Sequence, residues 1–411
     1  MTSAELEHPQ SVDRRALFRA YMRRLDPKAD PAIALRDGSY VPSLHATSSH
    51  IATRLEIDPA SSHLIIGAVG SGKTTELLAI NDRLIASTDI VPLFVDVPSL
   101  QNLAKLSEGV LVGLTWTQIW KHVEAHQSVL AKTHQKMAEQ ADAAAAGFYT
   151  EDPSEIDNDE DRYFRVPGLI SKPAENTDLA TVMRALTALL DQSTLRYVIL
   201  FDGLDRTRKT DALIAMLLND LSLLSNIGVG SVVVGPPELR GETYHQFTER
   251  FATFHFHGAT DFTTAAGVGF LGSVLQKRTD ESILGDMDRR RIAQWSGGIM
   301  RDLIALARNS GETAYSLGED RISSEHIDIA ANRFGRALLL GLSKEATQRL
   351  TGIYNTQVRF ATPSQSSFII FTASNDVDID LLVRRLVIEF PDLPPRFTLH
   401  PTIRPLLGGL S

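Results

Sequence analysis

The apolar positions of this 411-residue chain change period several times. Over residues 11–25 they recur at helical spacing, with Leu17, Tyr21 and Leu25 on one face and arginines on the other. Residues 26–42 are broken by prolines and a glycine and read as a loop, and a second helix is expected over 43–56. The short run 63–66 then ends in a glycine-rich turn. That turn opens a helix carrying Leu77, Leu78, Ile80 and Leu84. Residues 91–97 read as a strand, 100–147 as mostly helical, 178–192 as a helix and 197–201 as a buried strand. A helix (211–224), another buried strand (230–234) and a shorter strand (253–257) follow.

Strands alternating with helices over 60–260 predict a parallel sheet covered on both faces. From about 261 to 354 the pattern is helical, and the last fifty or so residues mix short strands with a helix over 378–389. No internal repeat is visible. The expected organisation is an N-terminal helical segment (1–59), an α/β core (60–260) with an insertion at about 98–176, a helical lid (261–335) and a small C-terminal domain (336–411).

Composition narrows this picture. Hydrophobic residues make up 43% and charged residues 22%, so the bulk of the chain should fold, and its length suits two or three domains. Seven of the eleven residues 151–161 are acidic, which reads as a solvated loop inside the insertion. The net charge of -9 gives no global basic footprint for nucleic acid. There is no cysteine, which excludes disulfides and thiolate metal sites and makes a reducing cytoplasm the simple expectation. The first residues lack the pattern of a signal peptide, and no run approaches the roughly 20 apolar residues of a membrane span.

The glycine-rich turn carries the chemistry. Residues 67–74, Gly-Ala-Val-Gly-Ser-Gly-Lys-Thr, fit G-x-x-x-x-G-K-[ST] at every fixed position, between a strand and a helix. Gly67, Gly70 and Gly72 let the backbone curl so that N–H groups, with Ser71, converge on an anion, and the helix start adds its dipole. Lys73 is placed to reach the β- and γ-phosphates, Thr74 to offer its hydroxyl to magnesium, and Thr75 to touch the phosphates. The strand 197–201 then delivers Asp202 as a magnesium carboxylate. Position 203 is glycine, so Asp205 is the candidate to orient or deprotonate the attacking water. The bland alternative for both aspartates is a cap on the next helix.

In this order the motifs resemble the AAA+ and STAND class of ATPases, especially its origin-recognition and helicase-loader branch. The closest local matches are residues 70–77 (GSGKTTEL) and 296–303 (SGGIMRDL). The resemblance spans about residues 40–335. It implies a doubly wound P-loop NTPase core followed by an α-helical lid and a small winged-helix-like C-terminal domain, with ATP and Mg2+ as cofactors. It also implies that Arg301 senses the γ-phosphate from the lid, and that Arg250 serves as an arginine finger on a neighbouring subunit's nucleotide, with Arg240 as a rival. That makes a homo-oligomer the expected active form. Stand-alone ATPases of this look serve in bacterial anti-phage defence beside a separate effector, and no effector chemistry is visible here. The alternatives are a DNA-associated loader or transposition-type ATPase, a regulatory module with little hydrolysis, and a small-molecule kinase.

Two features depart from the family pattern. The strand 230–234 runs into Pro236-Pro237 with no asparagine or threonine to act as the first sensor, which points to slow turnover. The insertion, with Trp116 and Trp120, reads either as a partner surface or as an elaborated helical pair. Residues 336–411 carry Arg384 and Arg385 on the expected helix 378–389, where a winged helix would meet DNA.

Overall fold

The computed structural model describes residues 10–148, 178–207, 210–240, 250–359, 368–391 and 394–409. The acidic stretch 151–161 lies outside them. The helices are α1 (Gln10–Arg24), α2 (Ala32–Arg36), α3 (Thr47–Ile57), α4 (Lys73–Ile85), α5 (Val97–Leu100), α6 (Val110–His126), α7 (Ser128–Ala145), α8 (Leu179–Leu190) and α9 (Thr210–Asn226). They continue with α10 (Ala265–Arg278), α11 (Asp286–Trp295), α12 (Met300–Ser316), α13 (Ser324–Leu338), α14 (Lys344–Ile353), α15 (Asp376–Val383) and α16 (Arg404–Leu407). The strands are β1 (Ser62–Ile66), β2 (Ile90–Asp96), β3 (Arg196–Asp202), β4 (Gly230–Gly235), β5 (Thr253–Phe256), β6 (Val387–Phe390) and β7 (Arg396–Leu399). Among the described residues no helix is long and apolar enough to cross a membrane.

The chain divides into two units. One, the sheet unit, holds Ala46–Gly67 and Lys73–Phe256; the other, the helical unit, holds Met1–His45, Ala68–Gly72 and His257–Ser411. This differs from the four parts expected from the sequence: α1 belongs with the lid helices and α3 with the sheet.

In the sheet unit five parallel strands run in the order β2-β3-β4-β1-β5. The near-continuous apolar runs of β1, β3 and β4 follow from burial on both faces. Alternate residues divide between two cores, because successive side chains leave a strand on opposite sides. Ile65, Val198, Leu200, Val232 and Val234 pack with Ile51 and Leu55 of α3 and Leu77, Ile80 and Leu84 of α4. Leu64, Ile66, Ile199, Phe201 and Val233 face the opposite core, with α6, α8 and α9. The fold is a doubly wound α/β core with the glycine-rich phosphate-loop motif between β1 and α4.

The described part of the insertion is chiefly a helical pair, α6 and α7. Trp116 and Trp120 are buried and stacked at 5.6 Å, and the Trp116 indole N–H donates to Asp142 at 2.7 Å. They fill the core, so of the two readings of this stretch the helical pair is the one observed. Asp220 of α9, fully buried, accepts from the backbone N–H groups of Gly109 at 2.8 Å and Leu111 at 2.9 Å, and so caps α6 from another helix.

In the helical unit α1 packs with α10 to α13 through Phe18, Tyr21 and Leu25. Leu17, expected on this face, is 36% exposed. Phe18, three residues before Tyr21 and seven before Leu25, completes the buried stripe, and Leu17 lies about 100° further round the helix. The C-terminal part runs α14, α15 and then the antiparallel hairpin β6–β7, a winged-helix-like order. The expected helix 378–389 stops at Val383. Arg385 turns the chain with φ +62°, and the β-branched and aromatic run of β6 enters the hairpin.

Candidate functional site

In the sheet unit the site is built at the carboxyl ends of β1, β2 and β3. Lys73 opens α4 and is 4% exposed. Its ammonium lies 2.7 Å from the Asp205 carboxylate and donates to the Gly67 carbonyl at 2.8 Å. The Thr74 hydroxyl donates to Asp202 at 2.9 Å. Thr75, half-buried, follows in the same turn. Asp202 ends β3 and is buried; burial pushes its carboxyl up to about 6, against the Thr74 hydrogen bond that favours its charged form, with Asp205 and Asp96 adding repulsion.

The spacing of the two aspartates has a steric cause. Gly203 has φ +82°, and a Cβ there would meet the Pro98 ring at 2.5 Å. No side chain fits at 203, so the second carboxylate arrives at Asp205 in the short turn Leu204–Arg206. The sequence reading missed Asp96, which pairs in register with Asp202 across β2 and β3. The signal was present: both strands end in aspartate after an apolar run.

The crest of the phosphate loop, Ala68–Gly72, belongs to the helical unit. Gly70 has φ +84°, and a Cβ there would lie 2.9 Å from the Cβ of Arg301. The Arg301 backbone N–H donates to the Gly70 carbonyl at 3.1 Å. The loop thus satisfies a donor that the first turn of α12 would otherwise leave orphaned. His257, also missed, is 8% exposed, with Nε2 3.2 Å from the Ser71 carbonyl. Next to Arg301, the buried Asp302 meets Arg385 at 3.0 Å and His400 at 3.5 Å. Arg384 pairs with Asp380 at 2.9 Å. Both arginines expected to meet DNA are therefore held in pairs within the chain.

Arg250 is exposed, just before β5. β5 runs parallel to β1, so Arg250 sits at the amino edge of the sheet, roughly 20 Å from Gly67 by strand rise. Arg240 lies in the short turn Pro237–Arg240. At the end of β4, a Cβ on Gly235 would lie 2.8 Å from Leu239 and 3.2 Å from Leu64, so the strand ends in apolar packing and presents no polar side chain.

These residues fit a magnesium nucleotide. Ser71 is buried, and among the described residues its hydroxyl has no hydrogen-bond partner. Thr74 and Asp202 offer two oxygen ligands. Among the described residues no group of three or more His, Cys, Asp or Glu could hold a metal by itself. Magnesium at such a site takes one or two protein oxygens and completes its shell with phosphate and water.

No family model matches the chain, and no curated protein matches it. Among solved structures it is similar to the Drosophila origin recognition complex bound to DNA, at 13% identity over 97% of this chain and 92% of that one, with a TM-score of 0.48. A Walker-type ATPase of Pyrococcus abyssi aligns at 13% identity over 90% and 96%, with a TM-score of 0.46. The Orc1 protein of Aeropyrum pernix in complex with DNA aligns at 14% identity over 90% and 93%, with a TM-score of 0.42. The fold assignment rests on the chain's own strand order and loop.

Proposed function

We propose that this chain is an ATP-binding and hydrolysing molecular switch of the AAA+/STAND type. The observation that carries the reading is the pair of buried Lys73 and part-buried Asp205, 2.7 Å apart. The ammonium that binds phosphate and the carboxylate that orients water neutralise one another in this arrangement. Lys73 exchanges Asp205 and the Gly67 carbonyl for phosphate oxygens, which make strong charge-assisted bonds. Asp205, released, turns to the attacking water. Thr74 and Asp202 would hold a magnesium ion through the two oxygens that bond each other here, and the ion would supply neutralisation of the phosphate charge.

Arg301 joins loop to lid through its N–H on Gly70, and Asp302 beside it joins the lid to the hairpin through Arg385 and His400. A nucleotide that shifts the loop therefore biases the lid and the hairpin together. Arg250, at the far edge of its own sheet, acts on a neighbour's nucleotide, so the working form is a homo-oligomer. The output belongs to a separate effector, in the manner of the ATPase component of a bacterial anti-phage system. The apolar end of β4 favours a second reading, a regulatory ATP-binding module with little hydrolysis.

A titration with a fluorescent ATP analogue, together with a turnover assay, tests the first reading. Lys73→Ala should abolish both binding and turnover. Wild-type binding and turnover in that variant would sink it; binding without turnover in the wild type selects the second reading.

A further inference from the structure

Helix α1 carries a charge pattern opposite to the rest of the chain. Its fifteen residues hold five arginines and one aspartate, in a protein of net charge -9. Arg15, Arg19 and Arg23 are exposed and recur every four residues, so their guanidinium groups line one side of the helix at about 6 Å intervals. Among the side chains of α1 that are described, the uncharged residues exposed on this outer surface are Ala16, Ala20 and, further round, Leu17 at 36%. None of the three forms an ion pair with a described residue. The nearby acids have other partners: Asp320 pairs with Arg14 at 2.8 Å and Asp26 with Arg308 at 3.5 Å. Arg24 points elsewhere, into the field of Asp37 and Asp280.

The other face of α1 is fully used. Phe18, Tyr21 and Leu25 are buried in the lid core, the Tyr21 hydroxyl donates to the Ala307 carbonyl at 2.8 Å, and Arg14 lies over the Tyr315 ring at 4.5 Å. This settles what kind of partner suits the arginines. Insertion into a membrane surface needs a broad free apolar face, and among the described residues α1 shows only the edge of Leu17 beside two alanines. A protein interface is organised around buried aromatic and aliphatic anchors, and the described residues next to the arginines are small. Single-stranded nucleic acid is held by stacking on aromatic side chains, and no described residue of α1 exposes one beside the stripe. Regularly spaced charge without any other contact group matches a duplex backbone, which needs only charge.

We propose that the Arg15–Arg19–Arg23 stripe binds the phosphate backbone of double-stranded DNA without reading sequence. The proposal is independent of nucleotide turnover and replaces Arg384 and Arg385 as the place where DNA meets this chain.

The test uses the full chain and a fluorescent mixed-sequence duplex of about 30 base pairs, with anisotropy titrations from about 50 to 200 mM salt. The Arg15→Ala, Arg19→Ala, Arg23→Ala triple variant should bind more weakly. The slope of log affinity against log salt should become shallower by about 2.7, at about 0.9 for each phosphate that is no longer neutralised. Its melting temperature and ATP binding should stay unchanged, since the three side chains are exposed. Arg384→Ala should leave the slope as it is. The proposal is overturned if the wild type does not bind the duplex at the lowest salt or if the triple variant keeps the wild-type slope. Tighter binding to a single strand or to phosphatidylglycerol vesicles than to the duplex also overturns it.

Discussion

Asp205 stands at the junction of two roles, partner to Lys73 and neighbour of Asp202. Replacing it with asparagine removes a charge without removing bulk. Lys73 no longer has to leave an anion, so ATP should bind more tightly, while turnover should fall by about 100-fold with the loss of the group that orients water. Parallel binding and turnover assays on Asp205→Asn check this; weaker binding would show that the pair does not compete with phosphate. His63 offers a second test, away from the site. It is buried in β1, with its ring nitrogens 2.9 Å from the Ser61 hydroxyl and 2.6 Å from the Thr253 hydroxyl. Burial, reinforced by His255, Arg54 and His50, holds its pKa at about 4. Unfolded, it takes up a proton below about 6.5; folded, only below about 4. The unfolded chain binds more protons between those values, so stability falls as the pH drops through that window. Urea unfolding should show about 2 kcal/mol lost between pH 7 and pH 5 from this group alone. His63→Gln should flatten that slope.

At the level of elements, the buried Asp302 couples the start of α12 to the hairpin. Truncation to alanine leaves the Arg385 guanidinium, 18% exposed, without its anion. Removing one partner of a buried pair typically costs about 3–5 kcal/mol. Asp302→Ala should therefore destabilise the chain by about that much, while Asp302→Asn should cost less, and chemical denaturation distinguishes the two. Much at this scale was legible in the sequence. The five parallel strands and the helices between them follow from runs such as 197–201 and from glycine and proline punctuation. Where the reading failed, tertiary partners decided. The helix at 378–389 was cut short because Arg385 is drawn to Asp302 and the following residues pair with β7. For Trp116 and Trp120 the sequence left a partner surface and a helical pair both open, and their burial in the core shared with α7 and α8 decides for the pair. The cap that Asp220 lends α6 joins residues over a hundred positions apart, which no local rule finds.

For the whole molecule, the residues of the phosphate loop are shared out: Gly70 packs on Arg301 within the helical unit, and Lys73 and Thr74 belong to the sheet unit. The motif was legible because its chemistry is local, requiring a strand, a turn and a helix within a dozen residues. His257 was not, because it reaches the loop through backbone approach, whereas Asp96 carried a signal, an aspartate ending an apolar strand, that was passed over. The proposed switch also requires assembly, since Arg250 sits at the wrong edge of its own sheet to serve its own nucleotide. The most direct measurement is ATP turnover recorded together with particle mass, for the wild type, Lys73→Ala and Arg250→Ala. An oligomeric switch gives turnover that Lys73→Ala abolishes, and that Arg250→Ala loses in the assembled particle while still binding ATP. Turnover in Lys73→Ala equal to that of the wild type would contradict it.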